Sequence, residues 1–195
     1  MMTDFDYQAL PSKAAVDYLL SKLRTIPDFP KPGIMFKDIT TLLADARALH
    51  ITLDLLVEPF IGESVDVVTA VEARGFIFGG ALAARLNAAF VPVRKPGKLP
   101  ADVDSVSYSL EYGDNVLQMH KGALKSGARV LIVDDLLATG GTAAATAELV
   151  RRQNGVIAAF LFVVELDFLG GRKRLSEITN SDVPIHSLIH INGEP

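Results

Sequence analysis

VLIVDDLLATGGT, residues 130–142, places a strand, an acid pair and a glycine-rich turn in one unbroken run. Val130 to Val133 is wholly apolar, the pattern of a short strand buried on both faces of a parallel sheet. It ends in two adjacent carboxylates, Asp134 and Asp135. After a short turn that includes Ala138, the segment Thr139-Gly140-Gly141-Thr142 opens a helix predicted over Thr142 to Gln153. Ligands of open α/β sheets bind beyond the carboxyl ends of the strands. Glycines there let backbone approach closely, and the unpaired N–H groups of a helix N-terminus point toward an anion. With hydroxyl donors from Thr139 and Thr142, this turn suits a phosphate. Acids just upstream suit ribose hydroxyls, which donate hydrogen bonds to carboxylates. Neither Gly-x-x-x-x-Gly-Lys-Ser/Thr nor Gly-x-Gly-x-x-Gly occurs, which argues against the P-loop and dinucleotide-binding alternatives.

Working outward, short apolar runs alternate with helices. Val65 to Val71 predicts a strand, a glycine-bearing turn follows, and Phe76 to Leu86 predicts a helix. Ala89 to Val93 and Gly155 to Val164 predict further strands. This rhythm implies an α/β fold with a parallel sheet covered by helices on both faces. Toward the N-terminus, a helix is expected from a Ser12 cap to about Arg24, with Val16, Leu19, Leu20 and Leu23 at helical spacing. Proline and glycine break the chain between Ile26 and Gly33. A second helix is expected from about Asp45, its apolar face made by Leu49, Leu53, Leu56, Val57 and Phe60. The polar stretch from Lys95 to Val106, with Pro96, Gly97 and Pro100, predicts a flexible flap leading into a β-rich segment, Ser107 to His120. No repeat or linker divides the 195 residues, so a single domain over 1–195 is expected.

Composition narrows the function classes. Hydrophobic residues make up 49% and charged residues 22%, which excludes wholesale disorder. The balance of 19 basic and 23 acidic residues leaves a net charge of −4, so no nucleic-acid or anionic-membrane partner is expected. The absence of cysteine removes disulfides, thiolate metal sites and cysteine nucleophiles, and fits a reducing, cytoplasmic setting. The first residues carry acids where a signal peptide carries bases. The longest apolar run, Val156 to Val164, is strand length, well short of the roughly 18 residues that span a bilayer. His50, His120, His186 and His190 form no evident metal-binding pattern.

Three further segments carry chemistry. Glu72-Ala73-Arg74-Gly75 follows a strand and precedes a helix, a second anion-ready helix start with a charged donor in Arg74. Arg94, Lys95 and Lys98 put three cations at the start of the flap, where a lid could close on departing charge. Glu111, in Tyr108-Ser-Leu-Glu-Tyr-Gly113, is a candidate general acid/base.

These segments, together with Pro27 to Thr40 and Val163 to Leu166, resemble in identity and order the type I phosphoribosyltransferases, most closely their adenine-specific branch. The resemblance runs from about Ile26 to the C-terminus. It implies a sheet core with an N-terminal hood, formed mainly by residues 1–45, and a flap. The implied reaction transfers 5-phosphoribose from phosphoribosyl pyrophosphate (PRPP) to adenine, giving AMP and pyrophosphate. It further implies that Asp134, Asp135 and Ala138 to Thr142 hold the ribose and 5′-phosphate. Glu72, Ala73, Arg74 and Gly75, in a turn with a non-proline cis peptide, bind pyrophosphate together with Arg94, Lys95 and Lys98. Glu111 faces the purine N7. Phe36 and Leu166 sandwich the base, and the Met35 peptide reads its edge. Mg²⁺ is bound through PRPP, with no direct protein ligand. The position of Arg94 implies a homodimer, because it reaches the neighbouring subunit's site. Lys37 is implied beside Met35 and Phe36 in the adenine site but departs from the resembled pattern, which has arginine there; lysine keeps the charge but loses the planar fork. Met35 stands where smaller aliphatics are common. Two alternatives stay open: a phosphoribosyltransferase for another purine base, and a PRPP-sensing regulatory protein of the same fold.

Overall fold

The computed structural model describes residues 13–110 and 113–193. Helix α1 (Lys13–Ser21) leads to a two-stranded antiparallel ribbon of β1 (Arg24–Ile26) and β2 (Phe36–Asp38). Helices α2 (Thr40–Leu43) and α3 (Ala46–Val57) follow, then β3 (Val67–Val71), α4 (Gly75–Arg85) and β4 (Ala89–Val93). A hairpin of β5 (Val103–Leu110) and β6 (Gly113–His120) interrupts the rhythm. It resumes with β7 (Arg129–Leu137), α5 (Gly141–Arg152), β8 (Val156–Leu166), α6 (Gly171–Ile178) and β9 (Ile185–Ile191). The central sheet has strand order β4-β3-β7-β8-β9, and every pairing in it is parallel.

Side chains alternate across a strand, so each apolar run supplies two cores. Val68, Ala70, Leu131, Val133, Leu161 and Val163 face a core shared with α3 and α4, including Leu53, Leu56, Phe78 and Leu82. Val67, Val71, Val130, Ile132, Phe160 and Phe162 face the other, shared with Ala143, Ala147 and Val150 of α5 and with Leu117 and Met119 of β6. Burial on both faces explains why these strands carry almost no polar residue. Among the described residues no helix is long and apolar enough to cross a membrane.

Several boundaries differ from the sequence expectation. The first helix stops at Ser21 instead of reaching Arg24, because residues 24–26 pair with 36–38; the expected Ser12 cap lies outside the described residues. The predicted flap loses its last residues to β5, since Val103 to Val106 pair with Leu117 to His120 and bury Val106. β7 runs past the acid pair to Leu137, because Leu136 and Leu137 continue the ladder with Val164 and Glu165. The helix begins beside Asp45 as expected, and the structure adds a cap there: the Asp45 carboxylate accepts the Ala48 N–H at 2.9 Å at the start of α3.

The ribbon is fastened by Asp38. Its carboxylate accepts the Thr40 N–H at 2.9 Å, the Thr40 hydroxyl at 2.8 Å and Arg24 Nη2 at 2.6 Å. These donors, the Thr40 backbone first, lower its pKa from 3.8 to about 2. A folded value below the unfolded one stabilises the fold above pH 3.8, and that contribution is lost as pH falls toward about 2. Asp38→Asn is therefore expected to lower the melting temperature at neutral pH and to flatten the acid limb of the stability curve. Thermal melts across this range check it; an unchanged acid limb would remove Asp38 from the account.

Candidate active site

All five strands of the parallel sheet end on one edge, and the turns after β3 and β7 meet there. They enclose a cavity of about 230 Å³ lined by Arg74, Asp134, Asp135, residues 136–143 and Phe162. The acid pair, the glycine-rich loop and Arg74 are thus brought together at the carboxyl edge of the sheet.

The loop owes its shape to Gly140. Its φ of 76° is a left-handed conformation that side chains disfavour, and it stands at the N-cap of α5 with no side-chain capping bond. A Cβ there would lie 2.9 Å from the Gly171 carbonyl oxygen, so the start of α6 backs the loop directly. The first N–H groups of α5 open beside the cavity, the arrangement that receives an anion. Sequence reading did not assign this backing role; the signal was the Gly170-Gly171 pair just beyond β8.

Asp134 and Asp135 are consecutive in β7, so their side chains leave on opposite faces. Asp134 lies against the start of α4: a Cβ on Gly75 would come within 2.9 Å of its Oδ1, which also accepts the Asp135 N–H at 2.9 Å. Burial, reinforced by the neighbouring Asp135 charge, holds the Asp134 pKa well above the ordinary carboxylate value. Burial also raises Asp135, against the pull of Arg74. Asp135 Oδ2 sits 2.9 Å from Arg74 Nε, yet it makes no aligned hydrogen bond among the described residues and is shielded from solvent. A buried acceptor of this kind is matched by a ligand that brings its own donor.

Arg74 bridges two parts of the site. Besides Asp135, its guanidinium lies over the Phe36 ring at 5.5 Å, and the edge of Phe29 packs on the same ring at 5.1 Å. Phe36 is thereby joined to the cavity. The peptide between Glu72 and Ala73 is cis, as the resemblance implies. Glu72 turns to the flap, accepting the Lys95 N–H at 2.7 Å and Arg94 Nη2 at 3.3 Å. Burial pushes the Glu72 pKa up, but these donors outweigh it and the net shift is downward. Arg94 Nη1 also reaches the Lys98 carbonyl at 3.2 Å. Arg94, Lys95 and Lys98 therefore build the flap's root within this chain, and none of them lines the cavity.

The remaining expected residues are more scattered. Lys37 Nζ donates to Thr25 Oγ1 at 3.0 Å across the ribbon, so its ammonium is engaged away from the cavity. Met35 is half-buried beside Phe36. Leu166 ends β8, half-buried and in register with Ile191. Glu111 and Tyr112 lie outside the described residues, between the last ladder pair, Leu110 and Gly113.

Beside Leu166 the structure shows a network with no strong local signal. Buried Glu165 accepts Arg172 Nε at 2.9 Å, Arg172 Nη2 at 2.5 Å and Ser187 Oγ at 2.6 Å. Glu165, Asp167 and His190 lie close enough to share a metal ion among the described residues. The Arg172 fork and Ser187 already occupy the Glu165 oxygens, so this cluster does not present an open donor set. His186, by contrast, packs edge-on against Phe60 at 5.7 Å.

The sequence model of the phosphoribosyl transferase domain matches residues 36–187. The adenine phosphoribosyltransferase of Sorangium cellulosum (strain So ce56) is 68% identical over 95% of this chain and 93% of its own length. Among solved structures, the adenine phosphoribosyltransferase of Thermoanaerobacter pseudethanolicus superimposes with a TM-score of 0.84 at 49% identity, covering 90% of this chain and 99% of that one. The Saccharomyces cerevisiae adenine phosphoribosyltransferase, solved with an imino-altritol bisphosphate and adenine, gives a TM-score of 0.82 at 37% identity, covering 90% and 98%. A match of this depth across the acid pair, the glycine loop and the Arg74 turn shows that the chain belongs to the phosphoribosyltransferases, in their adenine phosphoribosyltransferase branch.

Proposed function

We propose that this chain transfers 5-phosphoribose from PRPP to adenine, releasing pyrophosphate and forming AMP, a purine-salvage reaction. The observation that carries the reading is the cavity itself: an anion-ready helix start, two carboxylates and a guanidinium around one space beside an aromatic ring.

Each group then has a task. The N–H groups that open α5, with Thr139 and Thr142, hold the 5′-phosphate. Asp134 and Asp135 accept from the ribose hydroxyls, which gives the unpartnered Asp135 Oδ2 its donor. Arg74, with the turn from Glu72 to Gly75, takes the pyrophosphate. When adenine stacks on Phe36, Arg74 leaves that ring for the phosphates. Leu166 covers the other face of the base, and the Met35 peptide reads its edge. A 6-oxo purine would set two acceptors against each other there, an unpaired contact that costs about 1–3 kcal/mol. The flap, rooted through Glu72 and Arg94, covers the leaving group. Positioning and charge stabilisation supply most of the acceleration.

Mg²⁺ suits this site, since PRPP brings phosphate and ribose oxygens, hard donors that can hold the ion without a direct protein ligand. Bound through PRPP, it would neutralise charge on the departing pyrophosphate. The hood role of residues 1–45, the homodimer and the general-base role of Glu111 belong to the same reading by resemblance, and the cytoplasmic setting rests on the cysteine-free composition.

The test is direct. With PRPP and Mg²⁺ the protein is expected to convert adenine to AMP, and to turn over hypoxanthine, guanine and xanthine at least about 10-fold less efficiently. Equal kcat/KM for a 6-oxo purine would overturn the adenine assignment.

A further inference from the structure

We infer that Tyr108 is a positioning residue for the 5′-phosphate, holding the Thr142 hydroxyl so that its proton points into the cavity. This rests on the reading that residues 138–142 receive that phosphate.

Tyr108 stands in β5, opposite Asn115, and its phenolic oxygen lies 3.2 Å from Thr142 Oγ1. Its ring packs on the loop backbone: a Cβ on Gly141 would lie 3.1 Å from the ring's Cδ2. Thr142 lines the cavity and Tyr108 does not. Tyr108 therefore touches the loop from outside the cavity lining.

A threonine hydroxyl has one proton and two lone pairs. In a helix it commonly turns back to the carbonyl four residues earlier, as Thr146 does to Thr142 O at 2.9 Å and Thr52 to Ala48 O at 2.9 Å. Thr142 does not. The one hydrogen bond its side chain makes among the described residues is the one with Tyr108. A phenol is the more acidic donor, and donation from Tyr108 fills one Thr142 lone pair while leaving the Thr142 proton unspent. Among the described residues no other group hydrogen-bonds that side chain, which leaves the proton for the cavity, where the phosphate oxygens arrive. The hydroxyl is oriented before binding, so the contact forms without first freezing a rotor.

Tyr108→Phe removes the donor and keeps the ring on Gly141. It is expected to raise the PRPP KM about five-fold, the scale of one neutral hydrogen bond, with kcat and the adenine KM within about two-fold of the parent. In a Thr142→Val background, itself raised in PRPP KM, adding Tyr108→Phe is expected to change nothing further. The inference is overturned if Tyr108→Phe leaves the PRPP KM alone. It is equally overturned if the variant damages kcat and both KM values together, as a loosened hairpin would, or if its effect persists undiminished beside Thr142→Val. Should Thr142→Val by itself leave the PRPP KM unchanged, the phosphate assignment of the loop fails, and the inference with it. That failure is separable from one confined to Tyr108.

Discussion

Glu111→Gln is expected to lower kcat by about 10²–10⁴-fold, the usual contribution of a general acid/base, while the PRPP KM changes little. If Glu111 takes the N7 proton as N9 attacks, glutamine preserves size and a hydrogen-bonding amide but can no longer accept that proton. On the proposed reading PRPP is held by other groups, the loop at Ala138 to Thr142 and the acid pair, so its affinity should be insulated from the change. Glu111→Asp should recover part of the rate only if the shorter carboxylate still reaches N7. Steady-state kinetics in both substrates separate the roles. A raised adenine KM at unchanged kcat would make Glu111 a uniform binding contact and end the general-base assignment.

The double variant Asp134→Asn, Asp135→Asn is expected to raise the PRPP KM by about 10²-fold while making the ligand-free fold more stable at neutral pH. Hydrogen bonds to charged acceptors contribute about 1.5–3 kcal/mol each, and asparagine keeps an oxygen but not the charge. The stability gain follows from burial. Both carboxylates have folded pKa values raised above the unfolded ones, so the fold favours their protonated forms. The stability this confers is fully present below the unfolded value of 3.8 and is lost as pH rises through the folded values. Asparagine has no such loss. The Asp134 Oδ1 contact to the Asp135 N–H survives in kind, and Arg74, 41% exposed, can be solvated without its partner. Thermal melts of the ligand-free proteins from pH 4 to 8 should therefore show a shallower decline for the variant. A variant less stable than the parent at pH 8, or one with parental PRPP kinetics, would contradict the account of the pair.

Much of this was legible in the residues because its signals are local. The buried strands of the sheet announce themselves by unbroken apolar runs, and Asp45 by its position before an amphipathic helix. The loop at Thr139 to Thr142 shows itself by glycines that only special backbone geometry requires. The order of strand, turn and helix was enough to imply a parallel sheet and to place the acid pair and Arg74 at its carboxyl edge. Boundaries were less legible where pairing overrides composition. Residues 24–26 become strand because 36–38 lie alongside, and 103–106 leave the flap because β6 completes their ladder.

What only the tertiary structure decided are contacts between segments far apart in the chain. Arg74 spans Asp135 and Phe36. Gly171 seats the turn at Gly140, Tyr108 meets Thr142, and Arg172 clamps Glu165 beside Leu166. Periodicity and turn chemistry record what a residue does within its own element. A side chain's partner across the fold is set by how the elements pack, and packing leaves no mark on the spacing of neighbours in sequence.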